Sequence, residues 1–311
     1  MPDIAGNEQG AVLRYNGFPE NFIKANPQFN GATLLTNSGN TNYHSLQVQT
    51  TIRAFAGVRD LQASYTWSKL LGRGGSATPV YTNPVDRQGD YTLQVGDRRH
   101  DFRTNGVFEL PVGPGRALFR NSAGVIARAI EGWKLSWILQ LTSGAPANIA
   151  AQSMLYGNGT PDIVGKFDAS AGKVIWQDGA VNGGYFANTY NRVADPQCAN
   201  VAGSIRSLCT LTAIQDPSGN VVLQNPLPGK RGTLGQNSIE MPGTWTFDAG
   251  FGKRFRINET KGVSLRVDAT NLFNHPQPAS PNLDINATVP FGNIASKTGN
   301  RALQAQMRLE F

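Results

Sequence analysis

Histidine, cysteine and carboxylate side chains are the groups in this 311-residue chain that could bind a metal or transfer protons. The three histidines, His44, His100 and His275, are far apart, and none has a partner four residues away or a cluster of Cys and Glu beside it. Zinc sites and metalloprotease motifs need such spacing. The sequence therefore predicts no metal site, and each histidine is interpreted as a hydrogen-bonding residue at the end of a loop.

Motifs for nucleophilic catalysis and phosphate binding are also missing. The sequence contains neither G-x-S-x-G nor H-E-x-x-H. Residues 159–166 miss the spacing of a phosphate-binding loop by one residue and lack its final Ser or Thr. We therefore predict that the chain is not an enzyme and holds no cofactor.

Six charged residues near the C-terminus lie on the polar sides of predicted strands. They are Asp248, Arg254, Arg266, Asp268, Arg308 and Glu310. Glycoside hydrolysis needs two facing acids, whereas each acid here has arginines close by in the sequence. The pattern predicts an ion-pair network on the wall of a water-filled lumen. Within it, Arg266 is expected near Glu310 or its diagonal neighbour Arg308.

Seven stretches that alternate apolar and polar residues must position these charges. Their apolar rows begin at Leu46, Leu61, Phe102, Trp133, Trp245, Val263 and Leu303. Each stretch has roughly eleven residues, the length of a tilted strand that crosses a membrane. The sequence contains no run of 18 apolar residues, so no transmembrane helix is predicted. The predicted fold is all-β, a segment of an antiparallel transmembrane β-barrel. A soluble β-sandwich, the alternative, would bury the apolar rows against a second sheet.

The connections between the predicted strands differ greatly in length. Residues 71–100, 143–242 and 274–300 are long and rich in turn-forming residues, whereas the alternate connections are shorter. Outer-membrane barrels have long extracellular loops and short periplasmic turns. We therefore predict that residues 143–242 form a long extracellular loop region. Residues 1–42 are predicted as a broken strand, near 11–14, and a loop; residues 43–311 are the barrel part.

Aromatic residues gather at both ends of the predicted strands. This topology places Trp67, Phe102, Trp245 and Phe273 at the outer boundary and Phe108, Trp133, Phe255 and Phe311 at the inner one. Two such girdles are typical of barrels, whereas a sandwich gives no reason for them. A terminal aromatic residue such as Phe311 also resembles the signal that the barrel-assembly machinery recognises.

Charge and the N-terminal sequence bear on partners and location. The net charge is +7 and the isoelectric point is near 9.5, but the basic residues are scattered, so we predict no nucleic-acid binding. Outer-membrane lipid and lipopolysaccharide are the expected neighbours, in the cell outer membrane of a Gram-negative-type bacterium. Residues 1–8 do not form a secretory signal, so we expect a longer parent chain of which this is the C-terminal piece.

Cys198 and Cys209 are the only cysteines, eleven positions apart in a polar stretch. The spacing is compatible with a disulfide that closes a small loop in an oxidising compartment. We predict this bridge on the outer face. Two reduced, unrelated thiols are the alternative.

Seven segments occur in a specific order. They are N-Y-H-S-L-Q-V at 42–48, A-S-Y-T-W-S-K at 63–69, D-R-R-H-D-F at 97–102, L-P-V-G-P-G-R at 110–116, G-T-L-G at 232–235, F-D at 247–248 and R-V-D-A-T-N-L-F-N at 266–274. Together with the terminal Phe311 they resemble the C-terminal barrel of TonB-dependent receptors of the Oar-like type, from about residue 28 onward. The N-L-F-N segment alone occurs across TonB-dependent receptors generally.

The resemblance implies a 22-stranded barrel with an N-terminal plug, an energy-coupling box and a carboxypeptidase-regulatory-like β domain. This chain would supply the last seven or eight strands and take part in energy-coupled uptake of a large or scarce solute, such as an oligosaccharide or peptide. It would reach the TonB complex only through the missing N-terminal part. The alternative is a small eight-stranded outer-membrane barrel with a structural or adhesive role, in which residues 11–14 belong to the eighth strand.

Overall fold

A computed structural model describes residues 39–55, 57–73, 88–152, 159–177, 182–186, 189–204, 206–227, 230–256 and 261–311. Seven long strands in these ranges form one antiparallel sheet, in which each strand pairs with the next along the chain. They are β1 (Asn40–Phe55), β2 (Val58–Arg73), β3 (His100–Glu109), β4 (Lys134–Thr142), β5 (Thr244–Arg256), β6 (Gly262–Thr270) and β7 (Ala302–Glu310). The predicted antiparallel all-β architecture is confirmed.

The register gives the sheet one apolar and one polar face. Val267 of β6 lies opposite Phe251 of β5 and Ala305 of β7, whereas Arg266 lies opposite Gly252 and Gln306. Successive side chains of a strand point to opposite faces, so all seven apolar rows lie on the same side. Val267 is 48% exposed, and no second sheet within the described ranges covers this side. The sandwich alternative is therefore wrong, since it required these rows to be buried.

The outer strands have free edges in the part of the chain that the structure describes: no other strand there pairs with the outer edge of β1 or β7. The predicted strand at residues 11–14 lies outside the described residues. β1 begins at Asn40, a few residues before the predicted start of the barrel part, because Asn40 and Thr41 pair with Arg73 and Gly72 of β2.

Three connections lie at one end of the sheet. Phe55 of β1 pairs with Val58 of β2, and Gly57 just before β2 has a φ of +90°, a conformation that side chains disfavour. Residues 110–133, between β3 and β4, contain the helix α1 (Gly124–Ile130). Arg256 at the end of β5 pairs with Gly262 at the start of β6 at this end. No helix in the described ranges is long and apolar enough to cross a membrane.

The three long connections lie at the other end and pack together in a unit that we call the cap: residues 88–99, 143–243 and 271–301, as far as they are described. Its short strands are Thr92–Leu93, which extends the main sheet at β2, Pro146–Ala147, Asp162–Ile163, Ile175–Trp176, Gly183–Gly184, Asn191–Ala194, Thr212–Gln215, Val221–Gln224, Ile239–Glu240, Gln277–Pro278, Asn293–Ile294 and Lys297–Thr298. Its 3₁₀ turns are Gln88–Asp90, Ala169–Ala171, Pro196–Asn200 and Arg206–Leu208.

The cap contains the main hydrophobic core of the described residues. Its buried members are Ile149, Tyr185, Phe186, Tyr190, Ile214, Val222, Leu223, Leu234, Ile239, Leu283, Ile285, Phe291 and Ile294. Phe186 stacks on Phe291 with ring centroids 5.3 Å apart and meets Tyr190 edge to face at 5.5 Å. The described part of residues 143–242, which the sequence predicts to be a long extracellular loop region, has short strands and forms a folded unit with the other long connections, which complete its core.

Gly144 holds the stem of this unit closed. The stem leaves β4 and returns to β5 with Thr142 directly opposite Thr244. A Cβ on Gly144 would lie 1.6 Å from the carbonyl oxygen of Met241, so only glycine permits this approach. The two ends of the long insertion therefore lie side by side. The cap lies directly on the seven-stranded sheet β1–β7, which we call the wall.

Candidate functional site: the polar wall and the cap above it

The polar face of the sheet carries ion pairs within single strands. Arg266 Nε lies 2.8 Å from Asp268 Oδ1 on β6, and Arg103 Nε lies 2.8 Å from Asp101 Oδ1 on β3. Each pair is two residues apart, so both side chains point to the same face. These groups are largely exposed, and such pairs stabilise a fold by at most about 1 kcal/mol. They make the face water-compatible rather than hold the sheet together.

A second type of ion pair crosses a whole strand. Arg254 of β5 reaches over β6 to Glu310 of β7, past Gly262, where a Cβ would lie only 3.3 Å from Arg254 Nε. Ser264 Oγ also donates to Glu310 Oε1 over 3.2 Å. Of the two predicted neighbours of Arg266, Arg308 lies at the diagonal position, whereas Arg266 itself pairs with Gln306 and Glu310 pairs with Gly262.

Asp248 lies at the end of the wall beneath the cap, which we call the rim. Its carboxylate holds a turn there and takes no part in the ion pairs described above. Its Oδ1 accepts a hydrogen bond of 2.7 Å from the backbone N–H of Asn271, which has a φ of +48° at the end of β6. The Asn271 side chain donates to the carbonyl of His275 over 2.8 Å and accepts from its N–H over 3.0 Å. A carboxylate and an amide thus fix the turn that leads from β6 into the cap.

Aromatic rings surround the same turn on the apolar side. The Trp245 ring centroid lies 4.3 Å from that of His275 and 6.0 Å from that of Phe273. Phe102 lies opposite Leu141, which in turn lies opposite Trp245, so these residues form one row across the upper end of the wall. At the other end Trp133 stacks on Phe251 at 4.5 Å. Phe311 follows β7 at that end and is exposed.

A cleft of about 230 Å³ opens within the cap, lined by residues from 93–99, 144–146, 169–170 and 237–240. Its polar groups include Asp97, Arg99 and Glu240. Asp97 is buried and accepts a hydrogen bond of 2.6 Å from the N–H of Leu70, whereas Arg99 and Glu240 are exposed. The cleft therefore offers one cation, one anion and neighbouring backbone groups to a polar solute.

A second opening of about 370 Å³ continues from the first along Ser170 and Glu240 to Tyr185. The Tyr185 hydroxyl donates to the Glu240 carbonyl. Burial raises the pKa of this hydroxyl, and the nearby Glu240 carboxylate adds to the effect. Tyr185 is thus a neutral hydrogen-bonding group near neutral pH.

Asn225 is the centre of a buried polar network within the cap. Its Nδ2 donates to Asp195 Oδ2 over 2.9 Å and to the Thr212 carbonyl over 2.9 Å. Its Oδ1 accepts from the N–H of Gln152 at 2.9 Å and from Asn286 Nδ2 at 2.7 Å. One side chain therefore joins four separate segments of the cap.

Comparison with known protein families identifies the family of this chain. The family model described as "Outer membrane beta barrel domain" matches residues 6–304. The chain belongs to this family. No curated protein and no solved structure matches it.

Membership in the outer-membrane barrel family explains the exposed apolar face. The family places the chain in the outer membrane, which confirms the predicted location. Val267 and Met307, which is 68% exposed, then face hydrocarbon, and the charged face of the same barrel wall faces water. The wall and its two faces were predicted from the sequence, whereas the cap network around Asn225 was missed because no local pattern connects its members.

The three histidines lie apart in this barrel domain. His44 lies on β1 opposite Lys69, His100 Nδ1 lies 2.8 Å from the Tyr65 hydroxyl, and His275 is at the rim. No cluster of three or more metal-ligating residues occurs in the described ranges.

The structure of this barrel domain joins Cys198 and Cys209 in a disulfide that closes the loop containing Arg206. Replacing both cysteines by serine is expected to destabilise the cap by about 2 to 4 kcal/mol, because the unfolded loop gains conformational freedom. Thermal unfolding of the exported protein with and without reductant measures this effect. Two titratable thiols in the unreduced protein would contradict the bridge.

His275 gives the barrel rim a pH dependence. Burial lowers the pKa of its imidazole below 6.5, and its Nδ1 has no hydrogen-bond partner in the described structure. The unfolded chain therefore binds the proton more tightly, so the contribution to stability is complete above pH 6.5 and is lost as the pH falls through the lowered pKa.

We expect amide hydrogen exchange in residues 271–277 to accelerate between pH 7 and pH 5, after correction for intrinsic rates. The variant His275→Gln should remove this dependence. Residues 216–220, an exposed turn of the cap, serve as the internal control. Equal protection of the rim at both pH values in the parent protein would refute the effect of burial.

Proposed function

We propose that this chain forms part of the wall and the extracellular cap of an Oar-like TonB-dependent receptor, which takes up a large or scarce solute such as an oligosaccharide or peptide. The observation that carries the proposal is that one chain combines a charged, water-compatible wall face with a folded cap that contains a polar cleft. The resemblance of residues 266–274 and the preceding segments to these receptors supports it.

The side chains in the cleft favour a polar solute that carries both positive and negative groups. Arg99 and Glu240 are exposed in it, and Ser170 adds a hydroxyl. A peptide offers a carboxylate to Arg99 and an ammonium to Glu240, and an oligosaccharide offers hydroxyls to both. The groups bind and orient the solute; we propose no enzymatic step.

The proposed partners follow from the position of each face. Outer-membrane lipid contacts the apolar rows, and lipopolysaccharide contacts the cap side. The barrel-assembly machinery inserts the wall. The TonB complex acts through a part of the receptor that precedes the segment with Asn40, and no nucleic acid takes part.

Uptake of labelled peptide and oligosaccharide pools by cells that express the receptor containing this segment tests the proposal. Accumulation should require a functional TonB complex and should fall in the variants Arg99→Gln and Glu240→Gln. Glu131→Gln, at the opposite end of the wall, is the matched control. Passage that is independent of TonB would indicate a passive pore. No uptake in any strain, together with a stable closed barrel formed by this chain alone, would favour the eight-stranded structural protein.

A further inference from the structure

The connection between β3 and β4 lies against the lipid-facing side of the wall. Lys253 interrupts the apolar row of β5 between Phe251 and Phe255, yet it is buried, and its Nζ donates to the carbonyl of Arg128 in α1. Trp133 donates from Nε1 to the Ala129 carbonyl over 3.1 Å. The carbonyls near the C-terminus of α1 are thus bound by two side chains that rise from the apolar face.

Large apolar side chains of this connection point away from the protein. Val125 and Ile126 of α1 are 84% and 69% exposed, and Leu118 and Phe119 are also exposed. A protein in water rarely leaves four such residues uncovered in one short segment. Their position continues the lipid-facing surface of the wall at its lower end, where the short connections lie.

The same connection is basic. Residues 110–133 contain Arg116, Arg120 and Arg128, all exposed, and one acidic residue, Glu131. Arg116 is engaged by Glu109 on the polar face at 3.1 Å. In the sequence, Arg120 directly follows Phe119, and Arg120 and Arg128 flank Val125 and Ile126. An apolar surface bordered by arginines is the pattern of a segment that lies in the headgroup layer of a membrane.

The length of the connections places this end on the periplasmic side, since long connections of outer-membrane barrels are extracellular. We propose that residues 110–133 lie in the headgroup layer of the periplasmic leaflet, where Val125 and Ile126 enter the acyl boundary and Arg120 and Arg128 bind anionic phospholipid. Lys253 and Trp133 position α1 for this contact. The segment anchors the periplasmic edge of the wall to the membrane.

Site-directed fluorescence with the full chain in vesicles tests this. A bimane label at Ile126→Cys reports depth in vesicles of phosphatidylcholine and phosphatidylglycerol, with quenching by brominated acyl chains. Met307→Cys, on the lipid-facing wall, is the positive control and selects the preparations that are inserted. Val95→Cys is the matched negative control, because Val95 is an equally exposed apolar residue at the cap end.

We expect strong quenching at position 126 and weak quenching at position 95. Brominated phosphatidylglycerol should quench position 126 more than brominated phosphatidylcholine does. In Arg120→Gln/Arg128→Gln the preference for phosphatidylglycerol, about tenfold or more for two arginines at an anionic surface, should disappear. Quenching at 126 no stronger than at 95, in preparations with position 307 quenched, would overturn the proposal. Strong quenching without a phosphatidylglycerol preference would overturn the assignment of anionic lipid. Neither outcome depends on solute uptake.

Discussion

Val267→Arg is expected to abolish assembly of the wall into the membrane. Val267 lies within β6, between Phe251 and Ala305 on neighbouring strands, and about half of its surface is exposed on the apolar face. A cation at this point would face hydrocarbon, and an arginine facing the bilayer midplane costs about 2 to 4 kcal/mol. The neighbouring apolar rows offer no acidic side chain to neutralise it.

The matched control is Gln304→Arg, which places the same cation on the opposite face. Gln304 lies opposite Asp268, so the new arginine gains an anionic neighbour in water. Membrane fractionation and protease protection of the two variants measure assembly. The control should assemble like the parent protein, and Val267→Arg should remain outside the membrane. Normal assembly of Val267→Arg would mean that Val267 does not face hydrocarbon, and failure of Gln304→Arg alone would mean that the two faces have been assigned the wrong way round.

The wall could be predicted because its information is local. Alternation at every second residue, as in Val263, Leu265 and Val267, follows directly from the geometry of a strand with one wet and one apolar face. The same alternation sets the register, since a slip by one residue would turn every charge toward the apolar side. The predicted start of β1 is less accurate: the strand begins at Asn40. Polar residues at a strand end pair with the next strand through backbone hydrogen bonds alone, so no side-chain pattern marks them.

The contacts among the wall charges could not be predicted from spacing. Arg254 contacts Glu310 because Gly262 of β6 has no side chain, so the long arginine side chain can cross the strand there. That contact depends on three strands at once. Lys253 interrupts an apolar row, and its partner, the carbonyl of Arg128, is a backbone atom that no sequence pattern reveals.

The cap could not be predicted for a different physical reason. Its central strands, Thr212–Gln215 and Val221–Gln224, each bury two adjacent residues, so no alternation appears in the sequence. Strands this short also depend on neighbours far along the chain: Leu223 pairs with Ile163 as well as with Ile214. The apolar face of the wall contacts lipid, whereas the cap must bury its apolar side chains within itself. Among the described residues, the dense hydrophobic interior therefore lies in the cap.

Asn225→Leu is expected to unfold the cap locally while leaving the wall intact. Asn225 is 1% exposed, and its amide bonds Asp195, Thr212, Asn286 and the backbone of Gln152. Leucine has a similar size but forms none of these bonds. Asp195, also 1% exposed, would keep only the N–H groups that reach its carboxylate. Several buried polar groups without partners cost about 3 kcal/mol or more together.

Hydrogen exchange of the assembled protein separates the cap from the wall. Amides of Thr212–Gln215 and Val221–Gln224 should lose protection in Asn225→Leu, whereas those of β5 and β6 should keep it. The control Ser218→Ala changes an exposed residue in the turn between the same two cap strands and should have no effect. Because the cleft with Glu240 lies within the cap, solute binding should weaken in Asn225→Leu at unchanged membrane content. Full protection of both cap strands in the variant would show that the hydrophobic core holds the cap without the Asn225 network.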